Sequence, residues 1–169
     1  MVLSIQPATA QQYTTLYGIM ALAGEHMHRV LHLSHWYPFP NSDWYMQHCE
    51  GRNVYVVYQD ELLVGTFMLS EKPEPYYTDD MSAYWRNASA PSLYFSAFAL
   101  LPAFQQQGIG SWVMGEVDKL VIAQGHERLR FDAVASHPKL LYFYARLGYR
   151  QCGELPVRSQ FVMCYEKEF

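Results

Sequence analysis

Gln105, Gly108 and Gly110 stand in the string Leu101-Pro-Ala-Phe-Gln-Gln-Gln-Gly-Ile-Gly-Ser111, between an apolar run and a stretch of helical periodicity. Glycine lets a backbone approach a ligand closely. A helix that starts here leaves its first N–H groups without carbonyl partners, and the macrodipole favours an anion at the same place. The spacing Gln105-x-x-Gly108-x-Gly110 therefore suits a pyrophosphate, although two glycines on their own fit a tight strand-to-helix turn equally well. The patterns GxGxxG and GxxxxGK[ST] are both absent, so the common dinucleotide and nucleoside triphosphate loops do not apply. A second set of reactive types is Glu25, His28, His32 and His35, which fall within an arc of about 80° if the segment is one helix. Histidine titrates near neutral pH and suits proton transfer. The same stripe also fits a plain solvent-facing surface, or a metal held by His28 and His32.

The elements that must position these residues follow from periodicity. Leu3 to Ile5 reads as a strand, and Thr9 can cap a helix through Tyr13, Leu16, Tyr17 and Met20. Gly24 is expected to break or bend it, with a second helix from Glu25 to about Ser34. Pro38 and Pro40 then forbid continuation. Asn53 to Tyr58 and Leu62 to Ser70 flank Gln59-Asp60-Glu61 as an antiparallel hairpin. Glu71 to Pro91, rich in proline and aspartate, is a long loop of the kind that is functional or mobile. Leu93 to Leu101 is an apolar strand. Ile109, Trp112, Val113, Val117, Leu120 and Val121 mark a helix ending near Gly125, and Arg128 to Val134 the next strand. Pro138 opens a last helix, with Leu140, Phe143, Tyr144 and Leu147 as its stripe and Gly148 as its stop. Tyr149 to Glu154 and Gln160 to Glu166 complete the strands.

Composition narrows the class. The 169 residues fit one compact domain, and 50% hydrophobic with 17% charged residues suits a folded chain. The net charge of -4 argues against nucleic acid as a partner and leaves cationic substrates open. Cys49, Cys152 and Cys164 lie outside any metal or redox spacing and read as reduced core thiols. No apolar run approaches membrane-spanning length and Met1 to Pro7 lacks the regions of a signal peptide, so a cytoplasmic protein that does not enter membranes is expected.

With these pieces in order, the sequence resembles the GNAT family of N-acetyltransferases over roughly Leu93 to Tyr149. Tyr94-Phe-Ser-Ala-Phe-Ala-Leu-Leu-Pro102 is similar to that family's fourth strand, and Gln105 to Gly110 matches its [Gln/Arg]-x-x-Gly-x-[Gly/Ala] loop. Leu129-Arg-Phe-Asp-Ala-Val134 is similar to its fifth strand. His137-Pro-Lys-Leu-Leu-Tyr-Phe-Tyr-Ala-Arg-Leu-Gly-Tyr149 resembles its Asn-x-x-Ala-x-x-x-Tyr-x-x-x-Gly-[Phe/Tyr] segment. The resemblance implies a mixed α/β fold: a twisted, mostly antiparallel sheet of six or seven strands, with parallel and splayed fourth and fifth strands, flanked by about four helices. It implies acetyl-CoA as cosubstrate and a small-molecule or peptide amine as acceptor, with no metal.

By the same resemblance, main-chain groups of Phe98 and Leu100 pair with the pantetheine arm, and the Leu100 N–H stabilises the oxyanion. Gln105, Gln106, Gln107, Gly108, Ile109, Gly110 and Ser111 hold the pyrophosphate. His137 and Tyr144 lie beside pantetheine and sulfur, with Tyr144 protonating the departing thiolate. Its hydroxyl can fill that role, although its place on the stripe with Leu140 and Leu147 also fits a packed core tyrosine. His137 replaces the family's usual asparagine and can equally cap the helix entry.

The fourth strand departs from the pattern. Many family members carry a carboxylate there that deprotonates the amine, whereas this chain has Ser96 and Ala97, and neither can act as a base. The replacement candidates are His32, His35, Asp79 and Asp80, with Glu74 on the same loop. Trp36, Tyr76 and Trp85 either line an acceptor pocket or belong to the core. The leading expectation is direct transfer from acetyl-CoA to a primary amine. Its alternative is an acyl-CoA-binding module that has lost its base. The edges of the final strands admit a homodimer.

Overall fold

The computed structural model describes residues 1–78 and 80–169. Its strands are β1 (Leu3–Pro7), β2 (Asn53–Gln59), β3 (Leu62–Ser70), β4 (Ser92–Leu100), β5 (Arg128–Val134), β6 (Arg150–Val157) and β7 (Gln160–Glu168). The helices among the described residues are α1 (Tyr13–Leu31), α2 (Ser42–Cys49), α3 (Ile109–Ala123) and α4 (Pro138–Arg146). The strands form one seven-stranded sheet in the order β1-β2-β3-β4-β5-β7-β6. The β1-β2, β2-β3, β5-β7 and β6-β7 pairs are antiparallel and β4-β5 is parallel. This is the mixed α/β sheet that the sequence implies. The residues gather into two compact units, Met1–Leu69 with Ala97–Glu116, and Ser70–Ser96 with Val117–Phe169, so β4 and α3 each run from one unit into the other.

In the first unit, the apolar face of α1 packs Leu16, Ile19, Met20 and Ala23 against Tyr45 and Cys49 of α2, Val54 and Val56 of β2, Met68 of β3 and Ala99 of β4. The helical spacing was legible in these residues, but the division of the helices was not. Gly24 does not interrupt α1. A Cβ at this position would lie 2.4 Å from the Trp36 carbonyl oxygen, so the glycine admits the returning chain rather than ending the helix. The helix stops at Leu31 because His32 turns left-handed at φ 56°, and the N–H groups of His32 and Leu33 close onto the Met27 carbonyl. The turn replaces the expected continuation to Ser34. A second helix forms later, at α2, where the Asn41 side chain accepts from the Trp44 N–H at 3.0 Å.

The second unit has aromatic packing on both sheet faces. Alternation along β5 sends successive side chains to opposite sides. Phe131 stacks on Tyr165 at 5.1 Å between ring centroids and meets Tyr144 at 4.7 Å and Tyr149 at 5.1 Å. On the other face Tyr77, Met81 and Trp85 from the segment between β3 and β4 join Tyr94, Leu155, Val162 and Cys164 in a core. Arg130 anchors that segment. Its fully buried guanidinium bonds Glu166 Oε2 at 2.9 Å and the carbonyls of Arg86, Asn87 and Ala88, and lies 5.0 Å over the Trp85 ring. The long segment is thus pinned at its core residues.

Candidate active site

The end of β4 and the loop after it build the first part of the site, all within the first unit. Ala97 adopts φ 51°, a left-handed conformation that strains a residue with a Cβ by about 1–2 kcal/mol. It interrupts the regular strand conformation just before Phe98 and Leu100, whose main-chain groups the family resemblance sets against the pantetheine arm. Beyond it, the Leu101 N–H donates to the Val64 carbonyl at 2.8 Å, which fixes the side of β4 that faces β3. Strand alternation then turns the N–H and carbonyl of Leu100 away from β3. The Leu100 carbonyl accepts from Gln105 Nε2 at 3.0 Å, so the glutamine side chain braces the loop. Gln107 does the same through a 2.7 Å bond to the Ala103 carbonyl.

Left-handed residues on either side of position 107, Gln106 at φ 60° and Gly108 at φ 84°, curl the main chain into the kind of turn whose N–H groups converge on an anion. The first intrahelical bond of α3 runs from the Trp112 N–H to the Gly108 carbonyl at 3.1 Å. The N–H groups of Ile109, Gly110 and Ser111 precede it and have no carbonyl to meet. A Cβ at Gly108 would find nothing within 4 Å, so the main chain here is open to an approaching group. These features fit a pyrophosphate held by backbone donors.

The second unit carries the titratable side chains. Tyr144, 6% exposed, sits on α4 among Phe131, Phe143, Tyr149 and Tyr165. Burial, with Tyr165 and Asp132 adding to it, pushes its hydroxyl well above the usual tyrosine range, so the phenol keeps its proton at physiological pH. His137 occupies the N-cap position of α4, and its carbonyl accepts from Leu140 and Leu141 while its side chain makes no capping bond.

Asp132 escaped sequence reasoning. It lies on the face of β5 opposite Phe131, and its Oδ2 accepts from the hydroxyls of Tyr76 at 2.8 Å and Tyr77 at 2.6 Å. Burial raises its carboxyl above the ordinary range; the Tyr77 and Tyr76 hydrogen bonds oppose this, and the charge of Glu74, itself 3% exposed, adds to it. The signal available in the sequence was the single carboxylate of β5, which follows Arg128 and Arg130 on the same alternation, together with the paired tyrosines Tyr76 and Tyr77 more than fifty residues earlier.

The sequence model of the Acetyltransferase (GNAT) family matches residues 21–149. The chain belongs to the GNAT acetyltransferase family. A curated relative, the uncharacterized N-acetyltransferase YesJ of Bacillus subtilis, is 29% identical over 104 residues, which cover 62% of this chain and 56% of that protein. The chain thus matches little more than half the length of that relative. Two solved structures hold the coenzyme. A GNAT acetyltransferase from Elizabethkingia anophelis with acetyl-CoA bound has TM-score 0.66 and 16% identity, covering 99% of this chain and 98% of that one. PaiA N-acetyltransferase from Thermoplasma acidophilum, in complex with coenzyme A, has TM-score 0.69 and 16% identity over all of both chains. A spermidine N-acetyltransferase chimera from Vibrio cholerae has TM-score 0.69 and 15% identity, covering 98% of this chain and 95% of that one.

Against this GNAT framework, the base and acceptor residues expected from sequence fall in scattered places. His28 belongs to α1, where Nδ1 lies 3.0 Å from Ser34 Oγ and the ring stacks on Tyr37 at 4.0 Å. His32 is an exposed cap and His35 lies beyond the helix with its ring 5.7 Å from Trp36, so the proposed single histidine face does not exist. Asp79 lies outside the described residues. Asp80 is exposed, and its carboxyl is held low by the hydrogen bonds it accepts from Ser82. Trp36 packs against the core of the first unit. Trp85, 3% exposed, is a core residue under Arg130 rather than a pocket wall, whereas Tyr76 is 43% exposed and bonds Asp132. Ser96 Oγ is buried without a hydrogen-bond partner among the described residues.

Proposed function

We propose that this GNAT acetyltransferase moves an acetyl group from acetyl-CoA to a primary amine by direct attack. The observation that carries the reading is the loop of left-handed Gln106 and Gly108 leading into the open first turn of α3, which fits the pyrophosphate of coenzyme A. Main-chain groups of Phe98 and Leu100 and of Gln105 to Ser111 hold the coenzyme, with His137 beside it. Acetyl-CoA supplies an activated acyl thioester. The Leu100 N–H offers a hydrogen bond to the carbonyl oxygen as negative charge develops there. Tyr144, kept neutral by burial, gives a proton to the sulfur that leaves. The acceptor class is drawn from the resemblance and from the acidic composition, and the spermidine enzyme among the structural neighbours places polyamines in the test panel.

The experiment has two arms. Acetyl-CoA should raise the melting temperature of the protein, and free thiol should appear when acetyl-CoA is offered with polyamines, aminoglycosides, amino acids or peptide N-termini. Tyr144→Phe should lower kcat about 10- to 1000-fold and leave acetyl-CoA stabilisation in place. Stabilisation without thiol release for any amine would favour a coenzyme-binding module, the reading that Ser96 and Ala97 suggest. No stabilisation would remove both.

A further inference from the structure

We propose that Asp132 is the general base of the transfer, receiving a proton from the acceptor ammonium, with Tyr76 and Tyr77 as its positioning residues. This rests on the amine-transfer reading above. The case begins with charge. A buried carboxylate ordinarily pairs with a cation, because desolvating an isolated charge is expensive. Among the described residues Asp132 forms no ion pair, and no cationic side chain is among the groups that act on it. The groups on its side of the strand are Glu74, Tyr76 and Tyr77 from the segment between β3 and β4 and Cys164 from β7, while its charge reaches Tyr144 of α4 from across the strand. All are acids. An alkylammonium would bring Asp132 the cation that none of these groups provides.

Geometry adds a direction. Both tyrosine hydroxyls donate to Oδ2, at 2.8 and 2.6 Å, and the carboxylate is thereby fixed with Oδ1 left outside that pair. Asp132 is half-buried, whereas Phe131 and Ala133 on either side of it are buried. Its neighbour Phe131 points the opposite way along the strand and packs against Tyr144. Base and acid thus belong to opposite faces of one strand, so the two proton transfers use separate groups.

Asp132 takes one proton from R–NH3+, freeing the nitrogen lone pair. Nitrogen forms a bond to the thioester carbonyl carbon, and the carbon–sulfur bond breaks with its electron pair on sulfur. Sulfur takes the Tyr144 proton. The nitrogen loses its extra proton to solvent, the phenolate regains one from solvent, and Asp132 releases the proton it took. The sum is ammonium plus thioester giving amide, thiol and one proton.

The test compares wild type, Asp132→Asn and Tyr77→Phe. Thiol release is followed from pH 6 to 10 with the amine that serves the wild type best, alongside thermal stabilisation by acetyl-CoA and calorimetric binding of n-butylamine to the CoA-saturated protein. Asp132→Asn should keep the acetyl-CoA stabilisation, lose about 100-fold or more in kcat/KM for the amine near neutral pH, and recover toward pH 10 as amine deprotonates in solution. Its butylamine affinity should fall about 10-fold. Tyr77→Phe removes a bond that favours the ionised carboxylate, so its acidic limb should move to higher pH. If Asp132→Asn fails to fold, that limb decides: a shift supports the role and an unmoved limb overturns it. Equal rates and equal butylamine affinity in Asp132→Asn and wild type would overturn Asp132 alone. Absence of thiol release from wild type with every amine would overturn the amine-transfer reading, and this proposal with it.

Discussion

The loop from Gln105 to Ser111, proposed to hold the coenzyme, and the cluster around Asp132, proposed to receive the amine, would handle ligands by different means. In the loop the groups left open are main-chain N–H donors, and the side chains of Gln105 and Gln107 bond carbonyls at 3.0 and 2.7 Å. Around Asp132 the main chain supplies nothing beyond the β5 ladder, and every relevant contact is made by a carboxylate or a phenol. A backbone site tolerates side-chain change as long as its dihedral angles survive. A side-chain site tolerates almost none, because each buried polar atom depends on its partner.

Four substitutions would break or sharpen this contrast. Arg130→Ala should cost the most, about 3–5 kcal/mol in urea unfolding, because it takes the Oε2 partner from buried Glu166, which keeps Arg150 and Arg128 at Oε1, and removes the donor to three loop carbonyls. Gly108→Ala should cost about 1–2 kcal/mol from the left-handed strain alone, since the space around the added Cβ is open, and should weaken acetyl-CoA binding measured by calorimetry. Asp132→Asn should act in the opposite sense. A carboxyl whose pKa is raised on folding favours the fold at low pH and loses that contribution as pH rises through the raised value. The variant should therefore match wild type below about pH 4 and melt higher at neutral pH, with the difference opening between. Gln106→Ala should do least, within about 0.5 kcal/mol, with acetyl-CoA affinity within about twofold, since its exposed side chain makes no contact that the loop needs. A large loss there would mean that the loop binds through side chains after all.

The difference also explains what could be read in advance. Gly108 and Gly110 between an apolar strand and an amphipathic helix announce a main-chain site, since a glycine requirement is local and sequence shows it. The strands and the stripe of α4 were legible for the same reason, each resting on a short-range period. The helices before β2 were not. Gly24 reads as a helix breaker until the Trp36 carbonyl arrives 2.4 Å from where its Cβ would be. His32 becomes a left-handed cap instead of one member of a histidine face.

The Asp132 cluster lay further out of reach. Tyr76 and Tyr77 stand 56 and 55 residues from Asp132, and the Arg130 to Glu166 pairing spans 36. Family, sheet and the glycine loop before α3 could be read from the sequence, because periodicity, glycine spacing and helix entry are properties of neighbouring residues. Tertiary structure alone decided which carboxylate is buried, which tyrosines hold it and which face of β5 it occupies. Burial, and the chemistry that burial confers on a charge, comes into being only when distant segments pack.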